Sequence, residues 1–181
     1  MDLTEKTTKI GYKYDGIIIR VRLDDALLPD GRACKREFVE HGGGAAVLCV
    51  CDGKIAFVRQ YRYAYGEEII EIPAGKLEKG EDPAVAAVRE LHEETGADAE
   101  SVRLLTVVYP SPGYTNEKIY VYEAQGVTMG AAQPDDDEFL SLEWIAEADA
   151  EKMLLNGEFK DSKTAIALFH YFLSRKQNAA K

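Results

Sequence analysis

The stretch that most constrains this chain is Gly75 to Ala97, GKLEKGEDPAVAAVRELHEETGA. Asp82 is a good helix N-cap, and Pro83 suits the first helical position, where a missing N–H is no loss. Gly96 reads as the stop, because glycine adopts the left-handed backbone that ends a helix at little cost. Between them the spacing predicts a helix of about three turns. Ala84, Val88 and Leu91 follow at spacings of four and three, so that stripe is expected to face a core. Glu90, Glu93 and Glu94 are expected on the other side, with Glu90 and Glu94 one turn apart. Like charges at that spacing destabilise a helix, and here they stand toward the end where the backbone dipole also disfavours them. A solvated acidic face is the plain reading of such a run. A hard divalent cation is the sharper one: carboxylate oxygens are what Mg²⁺ and Mn²⁺ prefer, and a bound ion would remove both penalties.

Composition narrows the classes. A chain of 181 residues suits one ordinary domain plus a small extra element, and 46% apolar residues are enough for a core. The formal charge is −10, from 32 acids and 22 bases, which argues against a nucleic-acid partner. An anionic ligand would have to be drawn in by metal ions and a few placed arginines. Cys34, Cys49 and Cys51 are odd in number and lack paired metal spacing, a usage that fits a reducing cytoplasm. The first ten residues, MDLTEKTTKI, lack an apolar signal core, and no stretch is long enough to span a membrane. A cytoplasmic location without a membrane partner is therefore expected.

Residues 1–42 read as a small antiparallel β meander. Asp15-Gly16 and Leu28-Pro29-Asp30-Gly31 are turns between short β-type runs. Such a meander cannot bury a core alone and must pack on the rest of the chain or on a second chain. Tyr12 and Tyr14 alternate with polar residues, giving an aromatic face that either packs or offers a platform for a base. His41-Gly42-Gly43-Gly44 marks the boundary to a main domain over residues 43–181. There Ala45 to Cys51 reads as a buried strand, and Asp52-Gly53 turns it onto Ile55 to Gln60. Arg59 and Arg62 form a cationic island with Tyr61 and Tyr63. They are either ordinary surface arginines or a pair gripping phosphate oxygens. Further strands are expected over Val102–Tyr109, Lys118–Ala124 and Leu140–Ile145. Helices are expected over Ala146–Leu155 and from Lys163 to about Lys176, the last capped by Asp161 or Ser162 with Ala165, Leu168, Phe169 and Phe172 facing the core.

The pattern Gly75–x5–Glu81–x7–Arg89-Glu90-Leu91–x–Glu93-Glu94–x–Gly96–Ala97 resembles the signature of the Nudix hydrolase family. Every fixed position is met; at the last, the family prefers a larger aliphatic residue than Ala97. Glu71-Ile72-Pro73-Ala74-Gly75 is similar to the segment that opens this box in nucleoside-diphosphate-sugar hydrolases. Ser111-Pro112-Gly113, with Pro112 sixteen residues past Gly96, resembles the mark of the ADP-ribose pyrophosphatase subfamily.

The resemblance implies an α/β fold, the Nudix α/β/α sandwich with a mixed β-sheet, preceded by the N-terminal meander as a homodimerisation element. It implies Mg²⁺-dependent hydrolysis of ADP-ribose to AMP and ribose 5-phosphate, with Mn²⁺ as a substitute. Glu90, Glu94 and the Ala74 carbonyl are then the expected metal ligands, and Glu93 is a further ligand or a neighbouring base. Arg89 is expected to orient the carboxylates, and Glu81 to support the loop or a second metal. Glu138, with Asp136 and Asp137 as alternatives, is expected to activate water. Arg59, Arg62, Glu71, Ser111, Pro112 and Gly113 form the expected substrate-binding set. Three alternatives stand beside this: another Nudix substrate such as GDP-mannose, an ADP-sugar or an oxidised nucleotide; a non-catalytic ADP-ribose-binding module; and a purely structural acidic α/β protein. Intact Glu90, Glu93 and Glu94 argue against the second alternative.

Overall fold

Asp52 and Gly53 both take left-handed backbone angles, φ 48° and 71°, as a two-residue hairpin turn between twisted strands requires. That turn lies in the larger of two compact units. A computed structural model describes residues 2–130 and 139–179, with side chains to residue 177. One unit is Met1–Gly43 with Tyr109–Lys118; the other is Gly44–Val108 with Ile119–Lys181.

The first unit is built on β3 (Ile19–Leu27). β4 (Ala33–His41) pairs along its whole length, from Ile19 opposite His41 to Leu27 opposite Ala33. β1 (Lys6–Lys9) and β2 (Tyr12–Asp15) share the other edge of β3, all antiparallel. The Leu28–Gly31 turn closes as expected, with Gly31 at φ 85°. The Tyr109–Lys118 segment runs beside β4: the Val39 N–H donates to the Tyr114 carbonyl at 2.7 Å, and Val39 and Thr115 form a parallel bridge. An otherwise open strand edge is thereby covered. Asp24 is buried, held by the Arg22 guanidinium and by the Gly11 N–H at 3.1 Å. Arg22 also bonds Glu40 and lies over the Phe38 ring, 4.6 Å from its centre.

In the second unit, β5 (Gly44–Leu48) is wholly buried, as its unbroken apolar run predicts for a strand covered on both faces. Its side chains alternate between two cores. Ala46 and Leu48 join Ile55, Phe57, Ile72, Leu154 and Leu168; Ala45 and Val47 join Ala56, Ala86, Ala87 and Leu91. The first core belongs to α2 (Glu147–Leu155) and α3 (Ser162–Ala179), the second to α1 (Pro83–Thr95). The strand layer between them holds a mixed sheet ordered β10 (Ala97–Val108), β11 (Ile119–Met129), β5, β9 (Ala74–Lys76), with β11 and β5 parallel. A second, antiparallel sheet places β7 (Lys54–Arg62) between β12 (Leu140–Ala146) and the short β6 (Val50–Cys51) and β8 (Glu67–Glu71). This is the α/β/α arrangement expected. The inward stripe of α3 is shifted from expectation: Thr164, Ala167, Leu168 and Tyr171 are buried, while Phe169 is 46% exposed. Among the described residues, no helix is long and apolar enough to cross a membrane.

Candidate active site

The caps of α1 act as the sequence predicts. Asp82 accepts a hydrogen bond from the Ala84 N–H at 2.8 Å, Pro83 opens the helix, and Gly96 ends it at φ 72°. The rotation of the helix does not match expectation. Ala86, Ala87 and Leu91 are fully buried, and Glu90 and Glu94 are buried with them, only 6% and 2% exposed. The acids were expected to face away from the core. Residues 86, 90 and 94 form one helical column and 87 and 91 the next, so the small alanines draw that side in and the carboxylates follow. Val85 is left outside, 61% exposed. Burying two carboxylates a turn apart is expensive unless each is bonded. Glu90 accepts from an Arg89 Nη1 at 2.8 Å, and Glu94 accepts from the Ala74 N–H at 3.0 Å.

Arg89 is the hub. It also bonds Glu93 at 2.8 Å and grips Glu81 with Nε and Nη2 at 3.0 and 3.1 Å. The bonds to Glu81, above all, hold the guanidinium well above its ordinary pKa. Glu81 is held below the usual carboxylate value by Arg89 first, then by the Glu78 N–H at 2.9 Å. Glu81 therefore ties down the loop between β9 and α1, one of the two roles expected of it. Gly75 explains itself here. A Cβ added at this position in β9 would run into the Glu90 carboxylate and force it to move.

A second polar cluster lies at the end of β8. Arg62 forks onto Glu71 with Nε and Nη2, both at 2.6 Å. The Glu71 side chain is almost fully buried and also bonds Lys163, which pairs with Asp161 at 3.0 Å. Burial pushes the Glu71 carboxyl up, but the bonds to Arg62 and the charge of Lys163 outweigh it and hold it below its ordinary value. Asp161 caps α3, accepting from the Thr164 N–H at 2.9 Å and its hydroxyl at 2.6 Å. The Thr164 Oγ1 in turn accepts the Ile72 N–H at 2.9 Å.

The NUDIX domain model matches residues 40–168, most of the chain. The chain belongs to the Nudix family. It is 41% identical over 182 residues to an ADP-ribose pyrophosphatase of Bacillus subtilis (strain 168), covering 99% of this chain and 98% of that protein. It is 42% identical over 167 residues to a methanol dehydrogenase activator of Bacillus methanolicus, covering 91% and 90%. A crystal structure of an ADP compounds hydrolase superposes with a TM-score of 0.85 at 20% identity, covering 98% of each chain, which places the Nudix fold.

The Nudix residues divide into those the structure gathers and those it separates. Glu81, Arg89, Glu90, Glu93, Glu94, Ala74 and Gly75 come together along one side of α1. Their donors suit the divalent metal that Nudix hydrolases use: all are hard oxygens, from two buried carboxylates, the partly exposed Glu93 and the backbone of Ala74. Among the described residues no three His, Cys, Asp or Glu side chains are placed so that together they could hold a metal ion. One or two carboxylates completed by substrate oxygens and water is how Mg²⁺ is usually held.

Arg59 and Arg62 do not act as a pair, which corrects the expectation of a joint grip. Three residues apart on a regular strand, they project from opposite faces of β7. Arg59 is taken up at 2.6 Å by Glu143 of the neighbouring β12, two residues along from its register partner Ser141. Ser111, Pro112 and Gly113 belong to the first unit, where the Ser111 carbonyl accepts from the Tyr114 and Thr115 N–H groups at 3.3 Å each. Glu138, Asp136 and Asp137 lie outside the described residues. Sequence reasoning missed Lys163. It sits beside a capping signal on a helix, and its partner Glu71 is 92 residues away, so no local pattern marks it.

Proposed function

We propose that the chain hydrolyses the diphosphate link of ADP-ribose, with Mg²⁺, to AMP and ribose 5-phosphate. The observation that carries this reading is the inward turn of Glu90 and Glu94, with the Glu90 carboxylate in the space beside Gly75 and Glu94 on the Ala74 N–H. The likeness to an ADP-ribose pyrophosphatase over nearly the whole chain supports the substrate.

Glu90, Glu94 and the Ala74 carbonyl would hold the metal, with Mn²⁺ as a substitute. Bound there, Mg²⁺ supplies charge for the diphosphate oxygens and a lowered pKa for water. Arg89 holds Glu90 and Glu93 by two bonds at 2.8 Å, so both carboxylates are oriented before substrate arrives. Glu93, the most exposed of the three, either joins the ligands or takes a proton from the attacking water. Glu138 is the proposed water-positioning residue from the acidic run before β12. Arg62 binds a phosphate oxygen with donors that Glu71 leaves over. Ser111, Pro112 and Gly113 are proposed to bind the substrate.

The N-terminal strands are proposed to pair two copies as a homodimer, since Tyr12, Tyr14, Ile17 and Ile18 are all more than half exposed. Three free thiols fit the proposed cytoplasmic location. A panel of ADP-ribose, GDP-mannose, an ADP-sugar and dNTPs, assayed with and without Mg²⁺, tests the assignment. ADP-ribose is expected to give the highest kcat/KM and to release AMP. Equal or better turnover of another member moves the assignment to that substrate. Tight ADP-ribose binding without hydrolysis makes the chain a binding module instead.

A further inference from the structure

We propose that Lys163 is a positioning residue for the phosphate-binding Arg62, acting through the buried carboxylate of Glu71. The inference rests on the reading of Arg62 given above. A free arginine side chain is flexible and carries five N–H donors in a rigid fork. Here Nε and Nη2 are committed to the two oxygens of Glu71, which sets the plane of the guanidinium and turns its Nη1 edge away from Glu71. The setting is only as firm as Glu71 itself. Lys163 bonds the same Oε2 that receives Arg62 Nη2, and Lys163 is 7% exposed, with no room to wander.

Lys163 is fixed in its turn by the start of α3. Asp161 holds the ammonium with one oxygen and caps the helix with the other, through both polar groups of Thr164. Thr164 reaches across to the Ile72 N–H and so pins the backbone next to Glu71. Arg62, Glu71, Lys163, Asp161, Thr164 and Ile72 make one connected chain of bonds. Two residues beyond Ile72, Ala74 donates to Glu94.

Charge gives a second argument. Glu71 alone would neutralise Arg62 and leave it a poor partner for a phosphate. With Lys163 on the same carboxylate, the three groups keep one positive charge. Asp161, paired with Lys163, brings the four groups to zero, and the N-terminus of α3, worth about half a charge, offsets part of that. For stability alone, a buried ion pair is often no better than a well-packed apolar pair. A buried lysine at this place is better explained by the orientation it secures for Arg62 through Glu71.

The test is steady-state hydrolysis of ADP-ribose with Mg²⁺, together with urea unfolding, for Lys163→Met, Lys163→Arg, Arg62→Ala and Lys163→Met/Arg62→Ala. Lys163→Met is expected to raise KM about tenfold with kcat changed by less than about threefold. Lys163→Arg is expected to return KM to within about threefold of the wild type. Added to Arg62→Ala, the Lys163→Met change is expected to shift KM by less than about twofold, because it acts only through Arg62. A lowered unfolding midpoint with KM unchanged overturns the proposal, leaving Lys163 a holder of the fold. So does an undiminished rise in KM in the Arg62→Ala background. If Lys163→Met does not fold, Asp161→Asn carries the test: KM rises about threefold in the wild type and not in Arg62→Ala, and an absent rise overturns the proposal. An unchanged KM for Arg62→Ala alone overturns the earlier reading of Arg62, an outcome distinct from the failure of Lys163.

Discussion

Two arginines, Arg22 in the N-terminal strands and Arg89 in α1, each sit among carboxylates, and the two clusters are put to different use. Around Arg22 the charges match: Arg20 and Arg22 face Asp24 and Glu40, and the Tyr12 hydroxyl adds a bond to Glu40 at 3.1 Å. The guanidinium lies between the Tyr12 and Phe38 rings. Such a cluster fastens a small sheet that buries little apolar surface. Around Arg89 a single guanidinium serves Glu81, Glu90 and Glu93. By its own charge that group can accept a cation, whereas the Arg22 group cannot. One cluster is neutralised by its partners; the other keeps a net negative charge.

The strongest way to break this contrast is to remove a box carboxylate. Glu90→Gln and Glu94→Gln are each expected to lower kcat for ADP-ribose by at least about 10²-fold, the typical loss when a group stabilising transition-state charge is removed. Their far-UV circular dichroism should match the wild type. Full turnover in both variants would end the metal-site assignment. Gly75→Ala comes next: its Cβ would displace the Glu90 carboxylate, so kcat should fall about tenfold or more. A wild-type rate there would mean that the Glu90 position in this structure is not the working one.

Arg22→Met probes the other cluster. Asp24 would lose its guanidinium, and the urea midpoint should drop while kcat on the surviving folded enzyme holds. A loss of kcat with the midpoint intact would give Arg22 a functional role and dissolve the contrast.

The smallest expected effect is in pH. Glu71 and Glu81 have folded-state pKa values held below the ordinary 4.5, so their ion pairs stabilise the fold fully above that value. That contribution is lost as pH falls from about 4.5 through the lower folded values. Unfolding midpoints should therefore be flat at neutral pH and fall below about pH 4.5, with a shallower fall in Glu71→Gln. An acid limb unchanged by Glu71→Gln would remove Glu71 from the account.

Features set by a few neighbouring residues were legible without a structure. Asp82, Pro83 and Gly96 bound α1 because capping needs only backbone groups one to four positions away. Asp52-Gly53 makes its hairpin for the same reason, since few residues tolerate φ > 0. The apolar run Ala45 to Cys51 marks a buried strand, but the structure divides it into β5 and β6, which belong to different sheets. The spacing of Glu90, Glu93 and Glu94 marks the box. The facing of α1 was not legible. Ala86 and Ala87 carry little hydrophobic weight in a periodicity, yet their smallness is what lets the helix approach and carry Glu90 and Glu94 inward.

The sequence by itself determined the family, the layer order and the positions of the box carboxylates, because each is written in short-range spacing or in a long unbroken pattern. Tertiary structure alone decided that Arg59 and Arg62 part company across β7, and that Tyr109–Lys118 covers the edge of β4. It alone decided that Lys163 reaches Glu71. These are pairings between distant segments, and their geometry comes from strand alternation and helix packing, which no local run of residues encodes.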